Sequence, residues 1–254
     1  MGYRRRKKSK RHVGIISVII SAAVLTILIA AFIRTGGHLQ LSEFISTLSD
    51  RPASVRKIEN TYIDPDTIPA YNGCAYTEIN GNVPELERSD GKERFEIYGY
   101  LDKRGRCTAV YANVSQDTMP DKERESIGSV KPTGWHLVKY EGIDGNYLYN
   151  RCHLIAYQLT GENANEKNLI TGTRYMNTEG MLPFEIKVAD YIKKTGHHVL
   201  YKVVPVFRGN NLLAEGIWMQ ALSVEDDEIS FNVFCYNVQP GIGIDHANGN
   251  SWKE

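Results

Sequence analysis

Twenty-one consecutive residues, Val13 to Ile33, carry no charged side chain. A run of that length spans a bilayer core, which takes about 20 residues of helix. Ahead of it stand Arg4, Arg5, Arg6, Lys7, Lys8, Lys10 and Arg11, and an excess of Lys and Arg marks the cytoplasmic flank of a span. The sequence therefore predicts a cytoplasmic basic tail over 1–12, a transmembrane signal-anchor over 13–33, and everything after Arg34 outside the membrane. A cleaved signal peptide is the alternative. Its apolar region is typically shorter, ~7–15 residues, but Ala30 and Ala31 supply small residues for cleavage. Either way the remainder is exported, as a single-pass cell-membrane protein or a secreted one.

This assignment changes the meaning of the net charge. The whole chain balances 30 Lys and Arg against 30 Asp and Glu. Residues 1–34 hold eight of the basic residues and no acid, which leaves 22 against 30, about −8, for the rest. The basic cluster is explained by topology, and the exported part has no overall basicity with which to attract a polyanion. Any anionic ligand must be held by a local set of cations. With 254 residues and 42% apolar content the chain has room for one ordinary domain with a real core, so disorder is excluded as its general state.

Residues 34–70 mix Gly, Ser, Asp and Pro without a sustained period and read as a stalk. Leu41, Phe44, Ile45 and Leu48 mark one short helix within it. From Tyr71 the pattern is globular, so the domain is expected over 71–254. Phe95–Leu101 and Cys107–Ala112 are β-rich runs joined by Asp102–Arg106, a hairpin signal. Asp117–Pro132 is polar and predicts a loop. Asn168–Thr173 predicts a strand. Met181, Phe184, Val188 and Ile192 then recur at helical spacing and Gly196 closes the last turn. Pro183 is tolerated because it falls in that helix's first turn. Val199–Phe207, Leu212–Ser223 and Ile229–Asn237 predict an antiparallel meander. The expected class is α+β, a mostly antiparallel sheet preceded by one transmembrane helix.

Chemistry-bearing residues concentrate between 147 and 185. His153 offers a proton acceptor, Asn177 a neutral oxygen, and Glu185 a carboxylate eight residues further on. On a regular helix that separation is about 80° of azimuth and two turns of height, so both can face one site. A hard cation such as Mg²⁺ takes oxygen ligands and keeps several waters, so the set suits metal-assisted phosphodiester hydrolysis. Each residue also has an ordinary alternative. Asn177 could cap the helix, His153 could be a packed core residue, and Glu185 a solvated one. The four cysteines, Cys74, Cys107, Cys152 and Cys235, allow three full pairings and the sequence selects none. No two have metal-knuckle spacing, and Cys152 beside His153 is the alternative nucleophile.

At these residues the chain resembles the DNA/RNA non-specific endonucleases of the ββα-metal, or His-Me finger, superfamily, in particular the exported DNases of Gram-positive bacteria. Asn150-Arg-Cys-His153 stands where that family carries Asp-Arg-Gly-His. Similarity extends to Glu78–Pro84, Gly134-Trp-His136, Asn163–Ile170, Tyr175-Met-Asn177 and Asn237-Val-Gln-Pro240. The resemblance covers roughly residues 71–245 and implies a ββα-metal finger on the sheet. It implies His153 as general base, Asn177 as direct protein ligand of Mg²⁺, with Mn²⁺ as a substitute, and Glu185 as a carboxylate holding metal-bound water. Arg151 would stabilise phosphate charge, and Arg124 or Arg174 would add phosphate contacts. The expected activity is cleavage of DNA, and of RNA, without strong sequence preference and without a nucleotide cofactor. The alternatives are a non-catalytic surface receptor that feeds DNA to an uptake apparatus, and an extracellular structural module.

Overall fold

The computed structural model describes Ile58 and residues 61–254. The basic tail, the predicted transmembrane run and the Leu41–Leu48 helix lie outside the described residues.

A six-stranded sheet in which every pairing is antiparallel forms the base of the fold. Its strands are β1 (Tyr76–Glu78), β2 (Glu96–Tyr98), β3 (Val110–Val114), β6 (Val199–Val206), β7 (Gly216–Ser223) and β8 (Ser230–Tyr236), in the order β1-β8-β7-β6-β3-β2. The predicted hairpin is β2–β3, with Glu96 opposite Ala112, and the predicted meander is β6–β7–β8. β7 starts four residues later than the apolar pattern suggested, because Leu212 and Leu213 bond to the backbone of Ala247 and His246 instead.

Both faces of the sheet are covered, as the period-2 pattern requires when strands are apolar throughout. Val199, Tyr201 and Val203 point into the main core, shared with Val188 and Ile192 of the long helix. Val204 and Val206 join Trp218 and Phe234 on the other face. Ile63 and Ile68, in the stretch read as a stalk, pack on that second cluster. There the Tyr236 hydroxyl donates to the Pro69 carbonyl at 2.7 Å and Arg208 pairs with Asp66. Residues 61–70 thus cover the sheet's second face.

On the helix side lies a separate two-stranded sheet, β4 (Tyr149–His153) with β5 (Leu169–Thr173), in which His153 faces Leu169. The connection between them holds one short helical turn, α1 (Tyr157–Thr160). β5 leads within a few residues into the long helix α2 (Leu182–Thr195), giving a ββα unit. Gly196, at φ 72°, adopts the left-handed C-terminal conformation that glycine accepts without a Cβ clash. A small hairpin of β9 (Ile242–Ile244) and β10 (Ser251–Lys253) closes the chain.

The sequence pattern suggested a regular helix at the site, and here the structure differs. Met176–Met181 forms a π turn whose last amide, that of Leu182, bonds back to the Asn177 carbonyl. A π turn adds one residue to a helix without adding a turn. Eight residues across it therefore count as about seven α-helical steps, which brings Asn177 and Glu185 to within ~20° of azimuth rather than ~80°.

Candidate active site

A cleft of about 590 Å³ runs between the ββα unit and the segments 124–127 and 135–149. It is lined by all six residues that the sequence singled out: His153, Arg151, Asn177, Glu185, Arg124 and Arg174. Alternation along β4 explains the first two. Arg151 and His153 share one face of the strand, while Cys152 turns into the core.

His153 is 6% exposed and makes two contacts that fix its proton. Its Nε2 lies 2.8 Å from the carbonyl oxygen of Asn163, and its Nδ1 lies 3.4 Å from an Arg124 amino nitrogen. A carbonyl only accepts and a guanidinium only donates, so the neutral ring carries hydrogen on Nε2 and a lone pair on Nδ1. Burial, assisted by the Arg124 charge, holds the imidazole below its usual 6.5. The ring is therefore neutral at neutral pH, with Nδ1 as the proton acceptor. The loop carrying Asn163 is itself clamped. The fully buried Asn168 side chain accepts from the Ile155 amide at 2.9 Å and donates to the Ile155 carbonyl at 3.0 Å.

Arg151 is held flat. Its Nε donates to Val130 and one amino group to Gly128, and its guanidinium lies 4.0 Å above the Trp135 ring. Arg174 pairs with Asp144 at 2.5 Å at the surface, where such a pair contributes ~0–1 kcal/mol. Three arginines thus meet in a cleft whose only acidic lining residue is Glu185. Locally the balance is positive, although residues 35–254 sum to about −8.

Asn177 is not a helix cap. No side-chain cap bond is made at the start of this helix, and among the described residues the Asn177 amide has no hydrogen-bond partner. Glu185 is 8% exposed and likewise unpartnered by hydrogen bonds among the described residues, so burial pushes its carboxyl up to about 8, against the opposing pull of Arg124. A buried carboxyl without a donor is costly unless something supplies one. An amide oxygen and a carboxyl facing one polar cleft fit a hydrated hard cation. Among the described residues no group of three or more His, Cys, Asp and Glu could cage a metal, so such a cation would depend on Asn177, water and substrate oxygens.

The alternative nucleophile fails on geometry and on charge. Cys152 is fully buried, and burial and the neighbouring Glu185 push its thiol far up, out of the thiolate range. Its sulfur sits against Gly172, where an added Cβ would come within 2.5 Å of it. All four cysteines are unpaired, with Cys74 exposed and the other three buried.

Sequence reasoning assigned no role to Asn163, Asn168 or Trp135, although all three fall inside motifs it quoted. Asn163 acts through its backbone carbonyl, which leaves no side-chain signature. Asn168 and Trp135 act on neighbours that only the folded chain brings to them.

The fold and the sequence both have known relatives. A curated deoxyribonuclease of Streptococcus dysgalactiae subsp. equisimilis is 34% identical over 109 residues, 41% of this chain and 33% of the relative, so the match spans about a third of that relative's length. NucA of Streptococcus agalactiae, solved with a magnesium ion bound, superimposes with a TM-score of 0.67 at 22% identity, over 75% of this chain and 93% of NucA. The Sda1 nuclease, solved with a zinc ion bound, gives 0.59 at 25% identity, over 71% and 97%. The family model described as DNA/RNA non-specific endonuclease matches residues 86–224, more than half of the chain, and that stretch contains all six candidate residues. The chain belongs to the DNA/RNA non-specific endonuclease family.

Proposed function

We propose that this protein is a metal-dependent endonuclease that hydrolyses phosphodiester bonds of DNA, and of RNA, without reading base sequence, with His153 as general base. The observation that carries the reading is the seating of His153, buried in a cleft with three arginines, with Nε2 2.8 Å from the Asn163 carbonyl and Nδ1 3.4 Å from Arg124.

In this reading water attacks phosphorus and passes a proton to Nδ1, the P–O ester bond breaks, and the departing oxygen takes a proton from solvent. A positioned base contributes ~10²–10⁴-fold to such a step. Arg151, fixed by two carbonyls and by Trp135, receives the charge that grows on the non-bridging oxygens. Arg124 and Arg174 hold neighbouring phosphates. Asn177 would ligate the cation directly and Glu185 through water. Once bound, a divalent cation supplies charge neutralisation on the phosphate and the leaving oxygen. Mg²⁺ suits oxygen donors, with Mn²⁺ as a substitute, and structural relatives were solved with magnesium in one case and zinc in another.

An intact His153, Asn177 and Glu185 set in one cleft disfavours a receptor with a degenerate site. We further propose that the charge-free run 13–33 anchors this domain outside the cytoplasmic membrane. Purified protein should degrade plasmid DNA on addition of Mg²⁺ and stop on chelation, and His153→Ala should lose ~10²–10⁴-fold while still folded. Wild-type-like cleavage by His153→Ala would remove His153 from the mechanism.

A further inference from the structure

Beside the three arginines, the wall of the same cleft carries surface of a different character. The segment around Val138–Tyr140 turns back on residues 146–148, with Lys139 in an antiparallel bridge to Tyr147 and the Leu148 amide bonded to the Val138 carbonyl at 3.1 Å. Alternation then separates two faces. Val138 and Tyr140 turn inward and pack with Leu148, Tyr149 and Leu213. Leu137, Lys139 and Tyr147 turn outward together, and Leu137 and Tyr147 line the cleft that holds His153. Leu137 is 77% exposed and Tyr147 40%.

A single exposed leucine needs no explanation. Here an aliphatic and an aromatic side chain line one cleft, and the Nζ of Lys139 lies 4.4 Å from the centroid of the Tyr147 ring. Along the same segment Trp135 is paired in the same way with Arg151. Each ring is thus coupled to a cation in a cleft built for anionic oxygens. This pattern of cations that track a backbone and rings that receive bases is the general solution for binding a single strand.

Resting on the nuclease reading above, we propose that Leu137 and Tyr147 form a stacking shelf for one unpaired base flanking the scissile phosphate, so that single-stranded or locally unpaired nucleic acid is the preferred substrate. In a duplex each base face is already covered by its neighbours, and only an unpaired nucleotide offers a free π-face. The shelf consists of one aliphatic and one phenol side chain, so it accepts any base by its face rather than its edge.

The test compares full-length wild type with Tyr147→Ala, Leu137→Ala and Tyr147→Trp on two substrates of one sequence, a linear single strand and its blunt duplex. Both alanine positions are at the surface, and unchanged melting temperatures establish that the variants are folded. Tyr147→Ala is expected to raise KM for the single strand by about tenfold with kcat unchanged, and KM for the duplex by less than about twofold. Leu137→Ala should act in the same direction and more weakly, and Tyr147→Trp should retain or lower KM. Fluorescence anisotropy of the labelled single strand in EDTA reads the same loss as weaker binding without any turnover. The shelf can therefore be judged even if the wild type fails to cleave and the catalytic reading falls. Equal losses on both substrates, or single-strand KM and affinity within twofold of wild type for Tyr147→Ala, would overturn the proposal.

Discussion

The carbonyl of Asn163 and the imidazole of His153 are joined by a 2.8 Å bond that leaves Nδ1 as the only nitrogen of the ring able to take a proton. Burial lowers the pKa of this imidazole, and the Arg124 charge lowers it further. Because the proposed base works when neutral, the acid limb of kcat/KM is expected below pH 6.5. Arg124→Ala removes a cation that opposes protonation, so its limb should move to higher pH, with activity at pH 6 lost out of proportion to activity at pH 8. A limb that stays in place or moves to lower pH would separate Arg124 from the base.

Asn168 should control turnover from a distance. Asn168→Ala leaves the buried amide and carbonyl of Ile155 without partners, at about 1–3 kcal/mol for each orphaned group. Measured where the variant is still folded, kcat should fall while KM for nucleic acid holds, since the loop that orients His153 makes no arginine contact with phosphate. Asn168→Asp keeps the acceptor and loses the donor, and should fall between the two. An unchanged kcat in the folded Asn168→Ala variant would show that the Asn163 loop holds its place unaided.

At Asn177 stability and activity should separate. Its side chain makes no hydrogen bond among the described residues, so Asn177→Ala should change stability by no more than about 0.5 kcal/mol. Glu185→Ala, whose proposed link to the cation is through water, should cost ~10–100-fold in activity or metal affinity, and Asn177→Ala more than that. Near-normal turnover of Asn177→Ala in Mg²⁺ would show that its amide is not a ligand.

Glu185 gives the metal-free protein a pH-dependent stability. The folded state holds its proton up to about pH 8, whereas an ordinary glutamate releases it near 4.5. Between those values the folded state binds more protons than the unfolded state, so this contribution is fully present below pH 4.5 and is lost as pH rises through 8. In EDTA the melting temperature of wild type should therefore fall between pH 5 and 9 relative to Glu185→Gln. Mg²⁺ at pH 8 should raise the wild-type value more than that of the variant. Parallel pH profiles for the two proteins would refute the assignment.

Much of this could be read along the chain because it is written in local periodicity. The hairpin at 95–112, the meander at 199–237 and the helix ending at Gly196 are short-range patterns, and each is present, with β7 of the meander starting four residues late. His153, Arg151, Asn177 and Glu185 could be picked out because side-chain chemistry at fixed spacing is itself a sequence signal. What stayed hidden depends on backbone and on distance. The π turn at 176–181 has no periodic signature and is favoured by packing, with Met176 and Met181 both buried. The Asn163 carbonyl, the Asn168 clamp and the Trp135 platform belong to loops whose partners are fixed only when the finger closes on the sheet.

The contact between Cys152 and Gly172 means that two strands divide one small volume. The thiol fills space that a side chain at 172 would need, directly behind the strand that presents His153. Cys152→Gly alone would hollow out the backing of the strand that carries His153, and Gly172→Ala alone would overfill it. Made together, the two changes would empty the space of the thiol, yet a methyl at 172 would still collide with the Met176 methyl. The volume behind this strand pair is therefore divided among three residues, Cys152, Gly172 and Met176, and a change at any one of them is felt by the other two.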